Sequence, residues 1–333
     1  MGCIMLVLGV DAGGTSTRAV LATADGQCVG YGRGGSGNPT SSGVSLARDG
    51  VFDAVGQALR VAGADLGDVT GLAMAIAGHD SGGGENSWIL DPLRERGFRG
   101  ALHFESDLLA MYSSGAVAPV GYGVVCGTGA SAVRVQGGRV AAAADGLGWL
   151  LGDRGSGFWI GRRAAHAVVD QLEGVGAETA LTPLVLHAAG VAVDGAAEPG
   201  RDGRPIGLER LIRALYAQRP VRLATLAPLV FDAAEAADPV ACGILERAGE
   251  LLVQTIELVQ QGSGPVVAGG SILARDGAPR RLLREHFAAA EGEYPVVLVD
   301  SGAAGAAVLA LRNAGAPVDE RVLARLRAGI PAG

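Results

Sequence analysis

The sequence predicts an α/β protein made of two copies of one unit facing a shared cleft. Three observations predict it. Apolar strand-like runs alternate with stretches of helical spacing along the whole chain, the pattern of a layered α/β fold. One short device (strand, glycine loop, strand, glycine turn, strand) occurs near the N-terminus and again from residue 121. At 333 residues the chain also exceeds a usual single core, so two domains are expected.

The first copy opens with an apolar run at 4–10, then Asp11, Ala12, Gly13, Gly14 and Thr15, a strand at 17–22, a turn at Asp25 and Gly26, and a further short apolar run. The Asp-Gly pair supplies the positive φ that a tight hairpin needs. A loop rich in Gly, Ser, Asn and Pro covers 34–43, and Val51, Val55 and Leu59 set a helical spacing within 44–61. Residues 69–77 read as an apolar strand and 78–86 as a glycine-dense loop. After a helix-like stretch, a short strand at 102–107 passes into helical residues 108–112.

The second copy runs through a strand at 121–126, then Gly127, Thr128 and Gly129, a strand at 130–135, a turn at Gly137 and Gly138, and a strand at 140–144. Helical patterns cover 158–189 and 208–261, parted by a polar Gly/Pro/Arg loop at 194–207. A buried strand at 264–268 ends in Gly269, Gly270 and Ser271. The last strand is 294–299 and the helix after it 303–312, while 314–333 reads as a tail or as a helix returning to the first domain. The boundary is expected between the repeats: an N-terminal domain at 1–118 and a C-terminal domain at 119–333, with a helical insertion over 162–260.

Composition excludes several classes. Hydrophobic residues at 49% against 18% charged residues give a globular balance. A net charge of −7 argues against nucleic acid as a partner, and no apolar run reaches membrane-spanning length. The N-terminus lacks the basic region of a secretory signal, so a cytoplasmic location is expected. Cys3, Cys28, Cys126 and Cys242 are scattered without zinc spacing and read as small hydrophobes in a reducing compartment. All 27 basic residues are arginine. With no lysine, neither a Walker A loop nor Schiff-base chemistry is available. Phosphate charge must then be met by backbone N–H groups, a metal ion or arginine.

Two glycine loops at matching points of two repeats suggest two jaws on one ligand, because glycine lets backbone N–H groups approach phosphate oxygens. A third loop at Gly269 and Gly270 strengthens the reading, which points to a nucleotide. Asp107, where a strand passes into a helix, suits a carboxylate that accepts a hydroxyl proton in phosphoryl transfer, and equally suits a helix cap. Glu105, two residues earlier on the same strand face, could modulate Asp107, act as the base, or face solvent.

Four segments carry a resemblance that covers nearly the whole chain: 9–17, Gly-Val-Asp-Ala-Gly-Gly-Thr-Ser-Thr; Ser106 with Asp107; 126–131, Cys-Gly-Thr-Gly-Ala-Ser; and 148–161, Gly-Trp-Leu-Leu-Gly-Asp-Arg-Gly-Ser-Gly-Phe-Trp-Ile-Gly. Together they resemble the N-acetylglucosamine kinase group of the actin-like ATPase (ribonuclease H-like, sugar kinase) superfamily. That group shares its fold with the activator ATPases of benzoyl-CoA and 2-hydroxyacyl-CoA enzymes. Two departures stand out: Arg154 where the family usually has Glu, and Leu147 where it often has Trp.

The resemblance implies two actin-like domains around a cleft, with ATP and Mg2+ as cofactors. By it, Asp11 orients magnesium through water, while Gly13, Gly14 and Thr15 hold the β- and γ-phosphates. Gly127, Thr128 and Gly129 close from the other domain, and Gly269, Gly270 and Ser271 flank the nucleoside. It makes Asp107 the catalytic base. Asn38, Asp80, Asp107, Gly148 and Asp153 become sugar contacts, although Asn38 and Asp80 also read as plain turn residues. The resemblance would have Gly302 and Gly305 ease the final helix against the cleft, but ordinary helix packing is the preferred reading for both.

The implied reaction is phosphorylation of the 6-hydroxyl of N-acetylglucosamine or a related hexosamine, with glucosamine and other hexoses as alternatives. An activator ATPase is the other reading. Those activators carry a cysteine three residues before the second Gly-Thr-Gly and another downstream, whereas Cys126 here directly precedes Gly127 and the next cysteine is Cys242. The expected partner is a small-molecule sugar, with neither nucleic acid nor membrane, and a homodimer remains open.

Overall fold

The strands of the computed structural model, which describes residues 5–76, 86–288 and 296–331, form two five-stranded mixed sheets. The first holds β1 (Leu6–Ala12), β2 (Thr17–Thr23), β3 (Cys28–Gly34), β4 (Val69–Ile76) and β5 (Ala101–Glu105), in the order β3-β2-β1-β4-β5. The second holds β6 (Val120–Cys126), β7 (Ala130–Gln136), β8 (Arg139–Asp145), β9 (Val266–Gly269) and β10 (Val296–Val299), in the order β10-β9-β6-β7-β8. Read from the meander edge, the two orders are the same. In each sheet three strands form an antiparallel meander and two more add in parallel beside the first of them. The sequence repeat is therefore a repeat of topology. Central strand β1 is almost wholly apolar because both its faces are covered, Val7 packing in the cluster with residues 303–311 and Leu8, Val10 and Ala12 in the cluster with Val51, Val55 and Leu59.

The helices follow in chain order. Between β3 and β4 come α1 (Pro39–Ser42) and α2 (Val44–Ala62); α3 (Ser87–Glu95) precedes β5 and α4 (Asp107–Ser113) follows it. After β8 lie α5 (Gly148–Leu151), α6 (Gly157–Leu172), α7 (Leu181–Ala188), α8 (Ile206–Tyr216), α9 (Ala227–Glu235) and α10 (Pro239–Glu257). Around the last strands are α11 (Ser271–Ala274), α12 (Ala278–Ala288), α13 (Ala303–Asn313) and α14 (Glu320–Gly329).

The C-terminal helices do not stay with the second sheet. Helix α13 packs on β1, β2 and β4 of the first sheet and against α4, and α14 packs on β3. One core cluster accordingly joins Val7 and Val20 of the first sheet, Val133 and Val267 of the second, and residues 303–311 of α13. Of the two readings open for 314–333, the helix is the one observed.

The long helical patterns are broken where backbone chemistry demands it. Gly174, at φ 77°, follows the end of α6 within the expected 158–189 run. The 208–261 run is cut by a 3-10 segment beginning at Pro220, and then by Ala237 at φ 62° just before Pro239 starts α10. Within the 34–43 loop, Asn38 caps the short α1. Asp80, most of the 78–86 loop and Cys3 lie outside the described residues. Cys126 is buried, and Cys28 and Cys242 are half-buried. Among the described residues no helix is long and apolar enough to cross a membrane.

Candidate nucleotide and acceptor site

Ligands of open α/β sheets collect beyond the carboxyl ends of the parallel strands. Here those ends carry the predicted residues: β1 ends at Asp11 and Ala12, β6 at Cys126 before Gly127, β9 at Gly269, and β10 just before Gly302. The two sheets meet at one of these ends. The Gly302 amide donates to Asp11 Oδ2 at 3.0 Å. A Cβ at residue 302 would stand 3.2 Å from the Asp11 carboxyl carbon, so only glycine leaves that carboxylate undisturbed.

Asp11 is half-buried. Burial is the main cause of a pKa pushed up to about 6, and the Asp107 charge adds to it. Arg18, its cross-strand partner in the β1–β2 hairpin, and the Gly302 amide pull the other way. Asp11 Oδ1 has no hydrogen-bond partner among the described residues, and no group of three or more metal-ligating side chains occurs among them. That donor set fits magnesium in its usual nucleotide-bound form, one carboxylate with the remaining positions filled by phosphate oxygens and water.

The first glycine loop is braced from behind. The Gly13 amide donates to Ser16 O at 3.0 Å, the Gly37 amide to Gly13 O at 3.0 Å, and Thr17 Oγ1 to Gly35 O at 2.8 Å. Gly14 and Thr15 are exposed, and their amides have no partner among the described residues. The second loop is held the same way. Gly127 O accepts from the Gly157 amide at 2.7 Å and Thr128 O from the Phe158 amide at 3.1 Å, leaving the Thr128 and Gly129 amides without partners. Ser271 lies beside Gly127, so the third glycine loop adjoins the second.

Asp153 sits underneath this second loop. Buried, with φ 55°, it accepts the Ala130 amide on Oδ1 at 3.1 Å, and a Cβ on Gly129 would stand 2.7 Å from that oxygen. Asp145 in turn takes the Asp153 amide at 2.6 Å and the Arg154 amide at 2.8 Å, and the Arg154 guanidinium stands 3.5 Å from its Oδ2. Burial raises the Asp153 pKa, and the Asp145 charge raises it further. The arginine that departs from the family pattern is thus turned toward Asp145. Leu147, the other departure, is 65% exposed beside α5.

Asp107 is the first residue of α4 and half-buried. The cap itself is made by Ser106, whose Oγ accepts the Leu108 amide at 3.2 Å, so the helix does not need Asp107 for that purpose. Burial pushes the Asp107 pKa up, against the pull of the Leu108 and Asp107 amides. Glu105 is half-buried, and its Oε1 accepts from Asn313 Nδ2 at 2.9 Å in an exposed contact.

Of the remaining predicted contacts, Asn38 is buried and its Oδ1 accepts the Thr40 amide at 2.8 Å, the turn role. Gly148 opens α5 at φ 79° with nothing near its Cβ position. Gly305 is a packing glycine, set against the Ala110 carbonyl with its amide donating to Ser114 Oγ at 2.7 Å. Gly302 departs from that simple reading, because its amide donates to Asp11, and sequence reasoning missed Arg18 altogether. The hairpin register that places Arg18 opposite Asp11 was available from the sequence, whereas the partner of Gly302, 291 residues away, was not.

A family profile described as the BadF/BadG/BcrA/BcrD ATPase family matches residues 8–310. An N-acetyl-D-glucosamine kinase of Dictyostelium discoideum is 26% identical over 299 residues, spanning 84% of this chain and 88% of that protein. A solved structure from Chromobacterium violaceum, provisionally named an N-acetylglucosamine kinase, aligns over 92% of this chain and 99% of its own, with TM-score 0.71 and 25% identity. A ROK family glucokinase from Streptomyces griseus, solved with glucose and AMPPNP, aligns over 92% and 99% with TM-score 0.55 and 18% identity, a likeness of fold. The two five-stranded mixed sheets are those of the actin-like ATPase fold.

Proposed function

The chain belongs to the BadF/BadG/BcrA/BcrD ATPase family, and we propose that it is an ATP-dependent kinase that phosphorylates the 6-hydroxyl of N-acetylglucosamine or a related hexosamine. The observation that carries this reading is Asp107, a half-buried carboxylate of raised pKa, not needed as a cap, whose charge is felt by Asp11. Phosphoryl transfer to an alcohol needs a group so placed to accept the hydroxyl proton.

In this mechanism the unpartnered amides of Gly14 and Thr15 from one side, and of Thr128 and Gly129 from the other, hold the phosphate chain in line with the acceptor. Gly269, Gly270 and Ser271 flank the nucleoside. Asp11 would hold magnesium through water, and the ion would supply positive charge against the phosphate oxygens. As the sugar oxygen bonds to the γ-phosphorus and the bond to the ADP oxygen breaks, Asp107 accepts the hydroxyl proton. Asp153 keeps Oδ2 without a hydrogen-bond partner among the described residues, an acceptor for a sugar hydroxyl while Oδ1 supports the loop. Asn38 and Gly148 complete the proposed sugar pocket, and Asp80, outside the described residues, is assigned to it by the resemblance alone.

The test is incubation with Mg-ATP and a panel of N-acetylglucosamine, glucosamine, glucose and mannose, with products identified by phosphorus NMR. A phosphate coupled to the C6 protons of an amino sugar is expected. Phosphorylation of a neutral hexose alone would move the acceptor class, and no sugar phosphate from a nucleotide-binding preparation would remove the kinase reading.

A further inference from the structure

Three arginines that form no salt bridge among the described residues line one pocket beside the cleft. Arg18 on β2 donates to Ser16 Oγ at 3.1 Å and Arg33 on β3 to the Tyr31 hydroxyl at 3.0 Å, both neutral acceptors. Arg327, in the last turn of α14, has no side-chain partner among the described residues. Among the described residues seven other arginines pair with carboxylates, as Arg281 does with Glu285 and Arg325 with Asp25. Asp300 also lines the pocket but forms no ion pair with these three, so the lining carries a surplus of positive charge in a chain whose net charge is −7.

The strand register explains the grouping. Asp11 pairs with Arg18 across β1–β2, and Arg18 with Arg33 across β2–β3, so one carboxylate and two guanidinium groups form a row across the sheet. From the other side the pocket is closed by Ser301 and Ala304, where the start of α13 adds the positive end of an eleven-residue helix. The pocket opens to solvent on one side and has room for a tetrahedral oxyanion. No residue of the three glycine loops lines it.

We propose that this pocket is a second anion site, which takes free phosphate or the phosphate group of a small metabolite and is separate from the nucleotide's own phosphates. Its occupant would sit beside Arg18, the cross-strand neighbour of Asp11. The binding claim does not depend on which acceptor the enzyme phosphorylates.

The experiment is calorimetric titration of inorganic phosphate into the full chain at constant ionic strength, alone and with a non-hydrolysable ATP analogue at saturation. Phosphate should bind in both cases. Arg33→Gln and Arg327→Gln, both exposed surface changes that leave the fold intact, should each weaken phosphate about tenfold while leaving the affinity for the analogue unchanged. Three results overturn the proposal: no phosphate binding, binding that both variants leave intact, or binding abolished by the analogue. A parallel titration with a sugar phosphate separates the free ion from a metabolite as the preferred source of the group.

Discussion

The amide of Gly302 and the carboxylate of Asp11, 291 residues apart in sequence, meet at 3.0 Å and join the start of α13 to the end of β1. Residue 302 follows the edge strand of one sheet, and residue 11 ends the central strand of the other. The contact therefore sets the orientation of the proposed metal-orienting carboxylate by where the second sheet delivers its last helix.

Gly302→Ala tests that contact. The backbone there, at φ −77°, accepts alanine without strain, so the effect falls on Asp11, whose oxygens would lie 3.3 Å from the new methyl. Stability should change by less than about 1 kcal/mol, while the KM for Mg-ATP rises severalfold and the KM for sugar holds. An unchanged nucleotide KM would detach Asp11 from nucleotide binding.

Asp11 also predicts a pH dependence of stability. Its native pKa is raised from 3.8 to about 6, so the folded chain binds the proton more tightly than the unfolded one. The native state is relatively favoured below pH 3.8 and loses that advantage as pH rises through 6. Asp11→Asn removes the cost of the buried charge. Without divalent ions the variant should match the parent in urea unfolding near pH 4 and exceed it by about 2 kcal/mol at pH 8. Equal stability at both pH values would contradict the burial of this carboxylate.

Much of this arrangement was legible in the residues, and for physical reasons. Glycine loops after apolar strands, and the Asp-Gly and Gly-Gly hairpin turns, are local signals, and both meanders follow from them. Contacts between distant segments left no such trace. The approach of Gly302 to Asp11 depends on β10 pairing with β9 and on α13 crossing to the first sheet. The helix breaks at Gly174 and Ala237 were missed because apolar spacing runs on through them, while the backbone adopts positive φ. Asp153 was legible as a special carboxylate, but its place beneath Ala130 needed the β6–β7 turn in three dimensions.

Asp153→Ala should therefore affect the nucleotide as well as the sugar. Loss of the acceptor for the buried Ala130 amide costs about 1–3 kcal/mol of loop order. The KM for ATP should rise about tenfold together with the KM for sugar, and Asp153→Asn, which keeps an oxygen for that amide, should recover most of the nucleotide effect. A rise in sugar KM alone would confine Asp153 to the acceptor pocket.

The central claim is that Asp107 accepts the acceptor's proton in phosphoryl transfer to a sugar. The direct measurement is sugar-stimulated ADP release by the parent chain and by Asp107→Asn, with ATP affinity determined in parallel by calorimetry. The parent should release ADP in response to an amino sugar, and the variant should bind ATP normally while losing at least about a thousandfold in kcat. Retention of a tenth of the parent rate, a barrier change of only about 1.4 kcal/mol, would remove Asp107 from the role of base.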